Sequence, residues 1–291
     1  MNADQFAHDL ADTLSANPAL DWLADATPTE QTERELFKVC EDWFHVVLAR
    51  NLSVQSGTSS PNPHREPEGW RHVADEVEMA VGGKNWPETA SLATVHKAWF
   101  AQRCPGVGLP KTLKDGPAIL GPPFKAASCD MLLARPGEVV WLELKQIQHG
   151  LLKGNANLGI VDDVRKLGAL HIGATTARWD RRLMESQGLL PKRGADREKF
   201  SRVSETLGDR TASWWSAAVA VCWLGSDSED PMSFKTRVDG ALGEALRHAA
   251  ERDALDGWTA SDVAVIRKSG GAGPRFGLIA CVKDLERHSA G

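Results

Sequence analysis

The 291-residue sequence contains no tyrosine, although it has eleven tryptophans and eight phenylalanines. A covalent tyrosine nucleophile of the recombinase or topoisomerase kind is thereby excluded. Cysteine is scarce and odd in number. Cys40, Cys104, Cys129, Cys222 and Cys281 stand far apart, with no Cys-x-x-Cys pair to seat zinc or found a disulfide framework. They read as the reduced thiols of a cytoplasmic protein. No apolar run approaches the roughly 18 residues of a membrane span, and the opening MNADQFAHDLADTLSANPALDW puts Asp and His where a secretory signal needs an unbroken apolar stretch. Neither secretion nor membrane insertion is expected. Positive charge is not in excess either: the formal charge is −5 and the pI about 6.0, so any nucleic acid must be met by a local patch. His-Glu-x-x-His, Gly-x-Ser-x-Gly and the Gly-x-x-x-x-Gly-Lys loop are missing, which leaves zincin, lipase-type and P-loop chemistry without support.

What is present is an ordinary globular composition, 42% hydrophobic and 25% charged, long enough for one large domain or a core with a helical extension. Between Thr32 and Arg50 the residues Leu36, Val39, Cys40, Trp43, Phe44, Val46 and Val47 recur at helical spacing, and a shorter helix is expected before them. The Pro- and Ser-rich NLSVQSGTSSPNPHREPEGW reads as a loop, and WRHVADEVEMAV and PETASLATVHKAWFAQRC as further helices. Residues 1–105 thus read as a mostly helical N-terminal region that includes the first core helix, 32–50. Residues 106–291 read as an α/β core with C-terminal strands.

After a Gly- and Pro-rich passage, strands are expected from Ser128 onward. A helix over 158–171, a charged region over 178–210 and the Trp-rich strand SWWSAAVAVCWLG follow. A helix over 234–252 then precedes DVAVIRK and RFGLIACV, which read as a closing strand pair. The order implies a mixed sheet covered by helices.

The chemistry concentrates in SCDMLLARPGEVVWLELKQIQHG. Side chains alternate along a strand, so Val140, Leu142 and Leu144 face one way while Trp141, Glu143 and Lys145 face the other. The Pro and Gly of Arg135–Glu138 make a tight turn that can bring Asp130 near Glu143 and Lys145. Two carboxylates in one place repel each other, and a divalent cation between them relieves that repulsion. Magnesium suits such oxygen ligands, with the Leu144 carbonyl and a substrate phosphate completing its shell and manganese as a substitute.

Asp130, a dozen residues, then Glu143-Leu144-Lys145 in a hairpin resembles the PD-(D/E)XK nuclease superfamily, the restriction-endonuclease-like fold. The resemblance implies a mixed central sheet flanked by helices and a metal-dependent nuclease acting on DNA. It implies metal ligation by Asp130, Glu143 and the Leu144 carbonyl, with Lys145 positioning the attacking water. It also implies an acidic residue from the first helix, for which Glu33 fits better than Glu35 or Glu41. Cys129 stands where the family name has Pro. The exonuclease branch that marks its next helix with Gln and Tyr is not represented, because there is no Tyr, and Gln146 and Gln148 lie on or just beyond the strand instead.

By resemblance the activity is an endonuclease of restriction or defence type, a homodimer where two strands are cut. The alternatives are a catalytically inactive nucleic-acid-binding or assembly protein of the same fold, or an unrelated α/β protein with surface charge pairs. Asp162, Asp163, Arg165 and Lys166 face either the site or solvent. Residues 178–210 carry nine basic and six acidic side chains, which suits phosphate contacts or an ordinary solvated helix pair. Trp214, Trp215 and Trp223 are assigned to the core rather than to base stacking.

Overall fold

The computed structural model describes residues 1–16, 44–52, 69–81, 125–148, 155–170, 172–186, 190–192, 194–208, 214–224, 232, 235–236, 239–240, 257–267 and 274–285. They form a mixed α/β structure around a seven-stranded mixed sheet. The chain opens with α1 (Ala3–Ser15), whose N-cap Asn2 accepts a hydrogen bond from the Gln5 N–H. Residues 44–52 form α2. The sheet then takes β1 (Arg71–Val81), β2 (Lys125–Arg135) and β3 (Glu138–Gln148) as successive antiparallel neighbours. Helices α3 (Asn155–Gly168), α4 (Ile172–Arg178), α5 (Arg181–Ser186) and α6 (Ala195–Gly208) lead to β4 (Trp214–Leu224), parallel to β3. Strands β5 (Trp258–Ala260) and β6 (Ala264–Arg267) both pair antiparallel with β7 (Pro274–Leu285), which lies beside β4.

The β2–β3 turn is Pro136-Gly137, closed by the pair Arg135↔Glu138, with Gly137 at φ 79°. Proline presets the second turn position and glycine accepts the positive φ of the third. Beyond the turn, VVWL in β3 and residues 215–222 of β4 are central strands covered on both sides, whereas Trp214, expected in the core, is 64% exposed. Val139 and Trp141 of β3 and Trp215, Ala217, Val219 and Val221 of β4 pack with Ile160, Val164 and Leu167 of α3 and Phe200 and Val203 of α6. On the other face Val140, Leu142, Leu144, Ala218 and Ala220 pack with Phe6, Leu10 and Leu14 of α1 and Phe44, Leu48 and Leu52 of α2. The strand alternation expected from the sequence is therefore observed, and the face that carries Glu143 is interior as well: α3 lies over it.

One expected helix is a strand. The stretch over 70–81 reads as helical because Val73, Ala74, Val77, Ala80 and Val81, all buried, recur every three or four residues. In β1 that spacing arises from an irregular strand: the register slips between His72 and Ala74, and Glu76 takes φ 49°. An inserted residue shifts the side-chain alternation by one, so a period of two imitates a period near 3.6. The pairing of β1 with β2 puts a sheet strand before residue 106.

As the outermost strand, β1 offers unpaired backbone groups, and the following helices cover them. Arg202 Nε donates to the Val73 carbonyl (2.9 Å), Lys199 Nζ to that of Glu76 (2.6 Å) and Trp179 Nε1 to that of Glu78 (2.8 Å). Thr175 Oγ1 accepts the Ala80 N–H at 2.8 Å, and Arg178 pairs with the Glu78 carboxylate. Three basic residues of the 178–210 region thus serve the fold.

The pairing of β6 with β7 matches the expected closing pair, whereas β5 has no counterpart in the sequence expectation. The expected helices over 32–50, 87–104 and 234–252 lie largely outside the described residues, with 44–52 helical. Among the described residues no helix is long and apolar enough to cross a membrane.

Candidate active site

Ladder pairing between β2 and β3 runs from the turn to Met131↔Leu142. At the next residue, Asp130, the side chain takes over: its Oδ2 accepts the Leu144 N–H at 2.8 Å. A strand residue points its N–H and C=O to the same side, so the Leu144 carbonyl also faces the β2 side. The carboxylate of Asp130 is thereby fixed beside the backbone between Glu143 and Lys145. From the opposite face of the sheet, His45 Nε2 of α2 donates to the Asp130 carbonyl at 3.1 Å.

Glu143 is 1% exposed. Its Oε1 lies 2.5 Å from Lys166 Nζ of α3, and the same ammonium reaches the Ser128 carbonyl at 3.2 Å and Asp163 Oδ1 at 3.5 Å. Lys145 Nζ lies 3.1 Å from Asp163 Oδ2. Apart from these ammonium groups, Glu143 Oε1 and Asp163 Oδ2 are sealed without a hydrogen-bond partner. The site is thus a cluster of three carboxylates and two lysines, assembled from β2, β3 and α3, in which Glu143, Lys166, Asp163 and Lys145 are linked in that order.

Burial pushes the Glu143 carboxyl up to about 8. Lys166 opposes that rise, and the negative charges of Asp130 and Asp163 add to it. Asp163 is raised for the same reason, with burial prevailing over its two lysines. Lys166 is raised as well: burial works against its charge, but Glu143, Asp163 and Asp130 outweigh it. The neighbouring Cys129 thiol is pushed up by burial and stays protonated, an inert filler beside the carboxylates.

Behind Asp130, His45 Nε2 and His72 Nε2 converge on Asp75 Oδ1 at 3.1 and 2.7 Å. Burial favours the neutral acid at Asp75, but the hydrogen bonds and charges of the two imidazoles prevail and hold it well below the usual carboxylate range. The Asp75 hydrogen bond in turn raises His45 against the effect of burial. This cluster lines a surface hollow of about 320 Å³ with Val46, Ala49 and Arg50.

Of the residues expected in the site, Asp130, Glu143, Leu144 and Lys145 come together, while Glu33 lies outside the described residues. Asp163 and Lys166 join them, whereas Asp162 is exposed. A signal for Asp163 is present in the sequence: Ile160, Asp163, Val164 and Leu167 follow the i, i+3, i+4, i+7 pattern of a buried stripe, so this carboxylate occupies an apolar position. His45 has no such signal, because its contact with a carbonyl 85 residues away leaves no local pattern.

The donor chemistry fits a hard divalent cation, since the acidic groups offer oxygen ligands and the three carboxylates of the cluster outnumber its two ammonium groups. Among the described residues, however, no three His, Cys, Asp or Glu side chains stand ready as a metal-binding group. In this structure ammonium nitrogens hold Glu143 and Asp163. Compared with family models, curated proteins and solved structures, the chain finds no match.

Proposed function

We propose that this chain is a metal-dependent nuclease that hydrolyses DNA phosphodiester bonds, an endonuclease of restriction or defence type on a restriction-endonuclease-like core. The observation that carries the reading is the hydrogen bond from Leu144 N–H to Asp130, which sets the first carboxylate of the motif against the strand that bears the second carboxylate and the amine. A hairpin followed by a helix and a further strand is the order that the resemblance implies, and α3 and β4 follow the β2–β3 hairpin.

Asp130, Glu143 and the Leu144 carbonyl would hold magnesium or manganese, which when bound supplies a water of lowered pKa and offsets charge developing on phosphorus. The chain's own contribution is placement. Leu144 N–H and His45 fix Asp130 from two sides, and the buried strands fix Glu143. Lys145, 28% exposed at its side chain, reaches solvent and would orient the attacking water. Exposed Arg181, Arg182, Lys192 and Arg197 suit the phosphate backbone, and a homodimer would deliver two cuts. The buried cysteines Cys129, Cys222 and Cys281 accord with a reducing cytoplasm.

The second reading, a binding or assembly protein without turnover, draws on the Lys166–Glu143 ion pair, which gives the buried carboxylate a partner without any metal ion. Plasmid and linear DNA incubated with magnesium or manganese separates the two. Cleavage by the parent, lowered about a hundredfold or more in folded Asp130→Ala and Lys145→Ala, is expected of the nuclease. Equal cleavage by parent and variants contradicts it, and DNA binding without cleavage by any of them supports the second reading.

A further inference from the structure

Lys166 lies outside the Asp and Glu-x-Lys motif, yet it makes the closest contact with Glu143. We propose that Lys166 is a positioning residue, a resident counter-cation that occupies Glu143 in the cation-free protein and passes to Asp163 when a divalent cation binds. The inference rests on the nuclease reading of the site and adds to it how the site is loaded.

Three acceptors lie around the one ammonium group: Glu143 Oε1 at 2.5 Å, the Ser128 carbonyl at 3.2 Å and Asp163 Oδ1 at 3.5 Å. Transfer from the first to the third therefore needs only a change of side-chain torsions. Charge favours the transfer as well. Once ionised, buried Glu143 and Asp163 destabilise the fold if left unpaired, so each then keeps a cation beside it. An ammonium and a divalent cation repel each other strongly at contact distance in a poorly solvated site, so both cannot rest on the same carboxylate oxygen.

Asp163 is suited to receive Lys166 because both project from α3 three residues apart, neighbours on one helix face. Asp163 also holds Lys145, through its other oxygen. Once Lys166 settles on Asp163, that carboxylate has less negative charge to offer Lys145. Lys145 then shares Asp163 with the incoming Lys166, so cation binding is felt at both lysines.

The test follows the lysine ammonium resonances of isotope-labelled full-length protein during a magnesium titration, assigned with Lys166→Arg and Lys145→Arg, with calorimetry run in parallel. The expected result is a resolved change of the Lys166 signal that saturates together with the heat of binding, accompanied by a change at Lys145. In Glu143→Gln both the heat and the Lys166 change are expected to vanish. Magnesium binding with an unmoved Lys166 signal overturns the counter-cation role and leaves the site reading intact. Absence of any heat of binding in the parent removes the cation site itself, and this inference with it.

Discussion

Glu143 is the residue on which burial and charge conflict most. A carboxyl pushed up to about 8 by burial, with Asp130 and Asp163 reinforcing the shift against Lys166, is one that the fold prefers protonated. The folded pKa lies above the ordinary 4.5, so the stabilising contribution is complete below that value and is lost as pH rises through about 8. Glu143→Gln presents a neutral group at every pH, with Lys166 still able to reach Asp163 and the Ser128 carbonyl. Thermal denaturation between about pH 5 and pH 9 should show the parent losing several degrees relative to Glu143→Gln as pH rises. Parallel curves would mean that Glu143 is ionised in the fold at no cost. At this scale Asp130, Glu143 and Lys145 were legible in the sequence, since strand alternation and one tight turn are local rules. Lys166 was ambiguous, because a charged residue beside an apolar stripe can turn to either side and only the sheet beneath α3 decides.

Among the elements, β1 shows where local pattern misleads. Its buried residues carry a helical spacing because the register slip and the positive φ of Glu76 displace the alternation, and nothing within those eleven residues reveals the partner strand that makes the slip favourable. By contrast β2, β3 and β4 were readable as strands from their apolar runs, and α3 from its stripe. The coverage of β1 by side chains from α4 and α6 is a long-range arrangement with a measurable consequence. Thr175→Val keeps the shape of the side chain and leaves the buried Ala80 N–H without its acceptor. A loss of about 1–3 kcal/mol in urea unfolding is expected, the cost of an unsatisfied buried donor. A change within a few tenths of a kcal/mol would show that solvent or another acceptor serves Ala80. His45 illustrates the same point within the site: α2 reaches across 85 residues to the Asp130 carbonyl, and only the assembled sheet brings them together.

For the whole molecule, mixed α/β character was legible from the alternation of helical and strand patterns, whereas the strand order was not, because it places β7, the last strand, between β4 and β5. Coverage of the sheet by α3 turns an apparently polar strand face into a buried one at Glu143, and this gives the carboxylates their electrostatic tension. The molecule is acidic overall, so the proposed nuclease would have to engage DNA through a local patch. Replacing Arg181, Arg182, Lys192 and Arg197 together by Gln should weaken DNA binding about equally on all sequences and reduce the salt slope by up to about one for each phosphate no longer neutralised. An unchanged slope would assign those side chains to solvent. The most direct test of the central claim, that Asp130 and Glu143 form one cation site, is stoichiometric manganese binding by electron paramagnetic resonance, with magnesium as competitor. The account predicts a bound ion in the parent that magnesium displaces and that is absent in both Asp130→Ala and Glu143→Gln. Manganese bound equally by parent and both variants, or by none of them, would contradict it.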